Sequence, residues 1–177
     1  STMCLCMPST LVVRTLGGLS VRLDDVELHF ATRSLQALFV YLACAPRPLA
    51  RPIARDVLAE LIWPDRSQEQ ARTNLRTAVH RLRLDLDPYL EVTRQSVGVN
   101  LAGGAAFDVA EFEASLATGD LAAATAIYQG DFLAGFYLDG SPAFEQWALL
   151  ERERLRALAL NACQQLIARA TAASRID

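Results

Sequence analysis

Cationic, hydroxyl and amide side chains are concentrated in one stretch of the chain, Gln70–Leu86. If this stretch is an α-helix, in which successive residues are rotated by about 100°, most of these side chains share one side. The residues of this polar side are Thr73, Asn74, Arg76, Thr77, His80, Arg81 and Arg83. Guanidinium groups bind phosphates, and amide and hydroxyl groups hydrogen-bond the edges of bases. The pattern therefore indicates a surface that contacts nucleic acid.

The charge of this stretch is not balanced within the helix itself. No aspartate or glutamate occurs between Arg72 and Arg83, so the i,i+4 ion pairs that neutralise many helix faces cannot form inside this run. The arginines are expected to repel one another unless an anion binds. An ordinary solvated helix face is the alternative interpretation, because most charged faces are simply hydrated.

The opposite side of the same stretch is apolar. Leu75, Val79, Leu82 and Leu86 fall on one narrow stripe at helical spacing. Such a stripe packs against neighbouring helices and thereby decides which side of the helix faces outward. The elements around this helix are therefore expected to hold it with its arginines toward solvent.

The composition favours a folded protein with an uneven charge distribution. Of the 177 residues, 52% are hydrophobic and 21% are charged, which permits a buried core and argues against disorder. The formal net charge is −3. Residues 10–101 contain 12 arginines and 10 acidic residues, whereas residues 102–177 contain 5 arginines and 10 acidic residues. The positive charge is thus concentrated in the first half, near the polar helix.

The sequence shows no apolar run of transmembrane length and no secretory signal, so we expect no membrane association and a cytoplasmic location. The cysteines do not form a disulfide framework. Cys4 and Cys6 lack the further ligands that would complete a metal site, whereas Cys44 and Cys163 are expected to be small buried hydrophobic residues.

Residues that could carry catalysis are scarce. The two histidines, His29 and His80, have no nearby serine or cysteine with a third partner for nucleophilic catalysis. No glycine-rich phosphate loop follows a strand, and the absence of lysine excludes a Walker-type motif. We predict that the chain is not an enzyme, has no catalytic residue and binds neither a metal nor a cofactor.

Three short strands and two helices are predicted to precede the polar helix. Thr32 is a suitable N-cap for the first helix. The second helix is expected to begin near Ile53 and to end at Trp63-Pro64, because proline prevents its continuation. Either Asp65 or Ser67 is expected to cap the polar helix.

Two β-prone runs follow the polar helix, Leu90–Thr93 and Val97–Leu101. They predict a hairpin with Arg94 at its tip, where the guanidinium group could reach a backbone phosphate or the minor groove. Strands, three helices and a hairpin in this order are typical of a winged helix, whose third helix enters the major groove. We therefore predict an α+β winged helix-turn-helix domain over residues 10–102.

The second half of the sequence is predicted to be helical. Gly119-Asp120 separates helices at roughly Ala110–Ala117 and Leu121–Tyr128, and a long helix runs from Phe144 to about residue 172. This order is similar to the start of a tetratricopeptide array. Such repeats bury their faces against neighbouring repeats, so we expect an all-α, tetratricopeptide-like domain over residues 107–177 that is only partly present.

Several segments together resemble one known family. The winged-helix domain of the Streptomyces antibiotic regulatory protein (SARP) family, a variant of the OmpR/PhoB type, is similar to LARPIARDVLAELIWPDRSQEQARTNLRTAVHRLR (Leu49–Arg83) and YLEVTRQSVGVNL (Tyr89–Leu101). The bacterial transcriptional activation domain that follows in those regulators is similar to Phe107–Phe136 and Glu145–Leu160. The resemblance covers nearly the whole chain from Leu11.

The resemblance implies a transcriptional activator that binds double-stranded promoter DNA, often at direct repeats, and recruits RNA polymerase. In that family the turn between the second and third helices, here Trp63–Gln68, can contact the polymerase. Trp63 itself is better explained as a packing residue that fills the junction between the two helices. A homodimer is left open. The competing interpretation is a protein-interaction or oligomerisation module whose winged helix does not bind DNA, which the acidic second half favours.

Overall fold

A computed structural model describes residues 10–45, 51–100 and 104–174 of the chain. Its residues divide into two compact units. The first unit contains the described residues of Ser1–Val12, Val21–Ala105 and Leu138–Phe144, and the second those of Val13–Ser20, Ala106–Tyr137 and Glu145–Asp177. Each unit thus combines segments that are distant in sequence. The domain limits expected from the sequence, 10–102 and 107–177, stay a prediction.

The described residues begin with the three short strands that the sequence predicts. These are β1 (Leu11–Arg14), β2 (Ser20–Leu23) and β3 (Val26–Glu27). The β2 and β3 strands pair in antiparallel fashion across a turn in which Asp24 and Asp25 both have positive φ, 50° and 66°. The Asp24 carboxylate accepts a hydrogen bond of 2.8 Å from the Thr10 backbone N–H, which stabilises this turn.

Helix α1 (Arg33–Cys44) provides much of the core of the first unit. The Thr32 hydroxyl accepts a hydrogen bond of 3.2 Å from the Leu35 backbone N–H, which confirms the predicted N-cap. Phe39 is fully buried within this helix. Cys44 is also buried, as expected for a small hydrophobic residue.

The second helix begins later than the sequence predicts. Ile53–Ala54 forms strand β4, and helix α2 spans Arg55–Ile62 before Trp63 ends it. Ile53 lies opposite Val97 in an antiparallel pair. The β-branched side chain of Ile53 suits a strand, but its pairing partner is distant in sequence, so local periodicity could not reveal the strand.

Helix α3 (Gln68–Leu86) contains the predicted polar stretch. The Ser67 hydroxyl accepts a hydrogen bond of 3.2 Å from the Gln70 backbone N–H, which selects Ser67 over Asp65 as the cap. The buried residues of this helix are Ala71, Leu75, Ala78, Val79, Leu82 and Leu86. This confirms the predicted apolar stripe. Truncation of one of its buried leucines to alanine is expected to lower the free energy of unfolding by about 2–5 kcal/mol.

A hairpin follows α3 after a short 3-10 turn. Its strands are β5 (Leu90–Val92) and β6 (Ser96–Val99), and β4 completes a three-stranded sheet in the order β4-β6-β5. The Thr93 hydroxyl accepts hydrogen bonds from the backbone N–H groups of Gln95 and Ser96, at 3.1 and 2.9 Å. These bonds fix the tip that carries Arg94.

The second unit contains strand β7 (Ala106–Phe107) and the helices α4 (Asp108–Thr118) and α5 (Leu121–Ile127). The β7 strand lies at one edge of a four-stranded sheet of order β3-β2-β1-β7. Gly119 ends α4 with φ of 77°, and the Asp120 carboxylate caps α5 through the Ala123 N–H at 3.0 Å. This confirms the prediction that Gly119-Asp120 separates the two helices.

Helix α6 (Pro142–Ala173) is the long helix that the sequence predicts. The expectation that Cys163 is buried is wrong, because its position on this helix is exposed to solvent. Large apolar side chains of the helix are exposed as well. These are Leu149, Leu150, Leu160 and Ile167.

Candidate nucleic-acid interface

Helix α3 presents its polar side to solvent. Within the predicted set, Asn74 is half-buried and the others are exposed; those on the helix are Thr73, Arg76, Thr77, His80, Arg81 and Arg83, and the one on the hairpin is Arg94. The buried leucine stripe fixes this orientation, because rotation of the helix would expose that stripe to water. Whether these side chains contact DNA stays a prediction.

A concave surface, called here the hairpin cleft, lies between α3, the start of α2 and the tip of the β5–β6 hairpin. It has a volume of about 470 Å³. Its charged lining residues are Arg55, Asp56, Arg72, Arg76 and Arg94. The fold thus brings Arg76 and Arg94, which the sequence places in separate elements, to one surface. Four guanidinium groups beside one carboxylate give this surface a net positive charge.

Backbone pairing holds the hairpin cleft in shape. The Arg55 backbone N–H donates to the Gln95 carbonyl oxygen at 2.9 Å, and its Nε donates to the Thr93 carbonyl oxygen at 3.0 Å. The first residue of α2 is therefore fastened to the hairpin tip. Arg55 and Asp56 are absent from the set predicted by sequence. Local sequence patterns could not have found them, because the start of α2 lies beside the hairpin only through the pairing of Ile53 with distant Val97.

A second concave surface, the α1 cleft, lies on the other flank of α3. It has a volume of about 370 Å³. Its polar lining residues are Thr32, Ser34, Asn74, Thr77 and Arg81, with Trp63 beside them. The Asn74 side-chain oxygen accepts a hydrogen bond of 2.9 Å from the Gln70 amide, which orients its side chain along the helix. Five of the predicted residues therefore divide between two clefts, and Thr73, His80 and Arg83 lie outside both linings.

The arginines of α3 fall into a paired and an unpaired group. Arg72 binds Asp56 of α2, and Arg83 binds Asp87 at 2.6 Å. The expectation that all of them simply repel one another is wrong for these two, because their partners lie outside the acid-free run. Among the residues that the structure describes, the side chains of Arg76 and Arg81 have no hydrogen bond or ion pair. These two guanidinium groups retain their donors for a ligand.

Residues 10–45, 51–100 and 104–174 were also compared with the requirements of a metal site and of a membrane span. No group of three or more His, Cys, Asp or Glu side chains in these ranges could hold a metal ion. Cys4 and Cys6 lie outside the described residues. Within the same ranges, the length and hydropathy of the helices do not meet the requirements of a membrane span.

Comparison with known proteins supports the fold. No protein family matches the sequence, and no curated protein matches it. A solved structure of Mycobacterium tuberculosis EmbR in complex with a low affinity phosphopeptide is similar, with a TM-score of 0.72 at 20% sequence identity. The similarity covers 94% of this chain and 48% of that chain, so this chain spans about half the length of the solved one. The two chains share a fold of mixed α and β structure with small sheets.

Proposed function

We propose that this chain is a DNA-binding transcriptional regulator, in which α1 to α3 and the β5–β6 hairpin form a winged helix-turn-helix. The observation that carries this proposal is the exposed polar side of the acid-free run Arg72–Arg83, where the side chains of Arg76 and Arg81 have no ion pair among the described residues. A duplex supplies the anions that these guanidinium groups lack. In this proposed function, the chain performs no catalysis and uses no cofactor.

In the proposed complex, α3 enters the major groove and the hairpin approaches the backbone. The half-buried amide of Asn74 and the guanidinium of Arg76 are suited to bidentate base contacts, each worth about 1–3 kcal/mol of discrimination. Arg94 at the hairpin tip contacts phosphate or the adjacent minor groove. Thr73, Thr77 and the remaining cations set the register of the helix on the backbone.

The test is the affinity of Arg76→Ala for duplexes that the wild-type protein selects from genomic fragments, measured by fluorescence anisotropy. We expect an affinity loss of about tenfold, since one base or phosphate contact disappears. Arg169→Ala is the matched control, because Arg169 is an exposed arginine on α6. A wild-type affinity that does not fall as salt rises, or equal effects of the two substitutions, would contradict the proposal.

We further propose that the regulator is a cytoplasmic activator of the SARP type, whose helical segment belongs to a tetratricopeptide-like activation domain. The support is the sequence resemblance together with the shared fold. Residues 64–68, in the turn between α2 and α3, are exposed and so could reach RNA polymerase. Activation predicts that the protein raises transcription in vitro from a template with its selected site, and that Arg76→Ala removes this effect.

A second candidate function is an interaction or oligomerisation module that does not bind DNA. The exposed leucines of α6 favour it, because large apolar side chains at the surface often mark protein contacts. A wild-type chain that binds no duplex but forms a homodimer in solution would favour this candidate over the regulator.

A further inference from the structure

One carboxylate lies among the arginines of the hairpin cleft. The Asp56 side chain accepts two hydrogen bonds from Arg72, from Nε to Oδ1 at 2.7 Å and from Nη2 to Oδ2 at 2.9 Å. Both side chains are largely accessible to solvent, with exposed fractions of 53% for Arg72 and 61% for Asp56. The pair therefore has well-defined geometry in a place that a ligand can reach.

The edge of the Arg72 guanidinium that binds Asp56 is also the edge suited to phosphate. Carboxylates and phosphates both accept a bidentate pair of N–H donors from arginine. A phosphodiester in the DNA backbone has two unesterified oxygens that can accept these donors, and the Asp56 carboxylate has two oxygens that do the same. Water and salt weaken an exposed ion pair of this kind, so replacement of one anion by another is feasible. The DNA backbone and Asp56 thus require the same donors.

Asp56 keeps its negative charge at neutral pH. The hydrogen bond from Arg72 holds the pKa of Asp56 below its usual range, and the reciprocal hydrogen bond raises the pKa of Arg72. A fixed negative charge in the hairpin cleft repels an approaching phosphate, while the four arginines around it attract one. Asp56 is therefore the group in this cleft that opposes DNA.

On the basis of the proposed DNA-binding function, we propose that Asp56 is an internal competitor of the DNA backbone, which occupies Arg72 in the free protein until a phosphate replaces it. This competition weakens binding to every duplex, whatever its sequence. Of the two side chains proposed to contact bases, Asn74 lines the α1 cleft, and Arg76 lines the hairpin cleft but is not the arginine that Asp56 binds. Sequence-specific contacts consequently provide a larger share of the total affinity, and the protein leaves unrelated DNA more readily.

A purely positioning role for Asp56 makes the opposite prediction. If Asp56 served to hold Arg72 in place for a phosphate, its removal would weaken binding to DNA. If Asp56 acted only through diffuse repulsion, its removal would strengthen binding equally with and without Arg72. The sign of the effect and its dependence on Arg72 therefore separate the three mechanisms.

The experiment uses the 177-residue chain, a duplex of random sequence and a duplex that the protein selects, in anisotropy titrations at about 50 mM and about 200 mM salt. Asp56→Asn retains the size of the side chain and removes its charge. We expect it to tighten binding to both duplexes by about three- to tenfold at the lower salt, and by less at the higher salt. Glu60→Gln is the matched control: Glu60 is exposed on the same helix but does not line the hairpin cleft.

The decisive comparison adds Arg72→Ala alone and together with Asp56→Asn. We expect the gain from Asp56→Asn to fall below about twofold when Arg72 is absent, since the competition is for that side chain. Weaker or unchanged binding by Asp56→Asn, an equal gain from Glu60→Gln, or a gain that survives Arg72→Ala would overturn the inference. In those cases the wild-type chain still binds DNA. Failure of the wild-type chain to bind any duplex would instead overturn the proposed function, and this inference with it.

Discussion

Helices α3 and α6 both carry several arginines, but these arginines have different surroundings. On α6, Arg154 binds Glu113 and Glu151, and Arg156 binds Asp131 and Glu153. The Arg152 Nε donates to the Phe132 carbonyl oxygen at 3.0 Å. On α3, in contrast, the central arginines have no such partners among the described residues. The same residue type thus stabilises the fold in one unit and remains available for a ligand in the other.

The difference shows that the number of arginines is a poor guide to function and that their partners are a better one. The guanidinium group of Arg156 already has several donors in use, including hydrogen bonds to Asp131. A phosphate would have to displace these carboxylates before it could bind there. On α3, an anion that bound Arg76 or Arg81 would not have to break a bond of either side chain to another described residue. The net charge of −3 does not distinguish paired from unpaired arginines and so gives no indication of this contrast.

The largest effect that we predict concerns a carboxylate of the second unit. Buried Asp108 accepts hydrogen bonds from the Thr15 and Leu16 backbone N–H groups at 2.6 and 2.7 Å and from the Thr15 hydroxyl at 2.9 Å. Asp108→Ala leaves these donors buried and unsatisfied, so the free energy of unfolding should fall by roughly 3–5 kcal/mol. Urea denaturation would measure this loss.

Asp139→Ala is the control for Asp108→Ala, because Asp139 is exposed in the same sequence half. We expect its effect to stay within about 0.5 kcal/mol. The folded fraction of Asp108→Ala should keep the wild-type affinity for DNA. Comparable losses from both substitutions would show that the buried hydrogen bonds of Asp108 contribute little to stability.

A smaller, pH-dependent effect is expected at Asp131. Hydrogen bonding from Arg156 holds the pKa of Asp131 below its usual range, with a further hydrogen bond from the Tyr128 hydroxyl at 3.1 Å. A carboxylate whose pKa is lowered by folding stabilises the protein above its unfolded pKa and loses this contribution as the pH falls. Asp131→Asn should therefore lower the midpoint of thermal unfolding at pH 7, and this difference should shrink below about pH 4.

Local sequence patterns were sufficient for much of the first unit. The cap at Thr32 and the stripe of Leu75, Leu82 and Leu86 follow from short-range periodicity and hydrogen bonding, and the structure has both. The pattern of α3 also indicates correctly which of its sides is exposed. These features depend on residues a few positions apart, which is the range that a helix or cap samples.

Long-range partners could not be predicted in the same way. Strand β4 exists because Ile53 pairs with Val97, and the hairpin cleft exists because α2 then starts beside the hairpin tip. Asp108 looks like a helix-start residue in the sequence, yet its partners lie some ninety residues earlier, at separations of 92 and 93. Periodicity contains no information about such pairs, so the acidic partner of Arg72 was missed as well.

The smallest effect that we predict distinguishes two arginines of the same helix. Arg83 binds Asp87 at 2.6 Å in the free protein, whereas Arg76 has no partner among the described residues. A phosphate that binds Arg83 must first break this ion pair, so Arg83→Ala should weaken DNA binding by only about threefold, against about tenfold for Arg76→Ala. Asp87→Asn should strengthen DNA binding, because it releases Arg83 from this ion pair. Anisotropy titrations of the three variants would rank them, and an Arg83→Ala loss as large as that of Arg76→Ala would mean that pairing in the free protein does not determine which arginines serve the duplex.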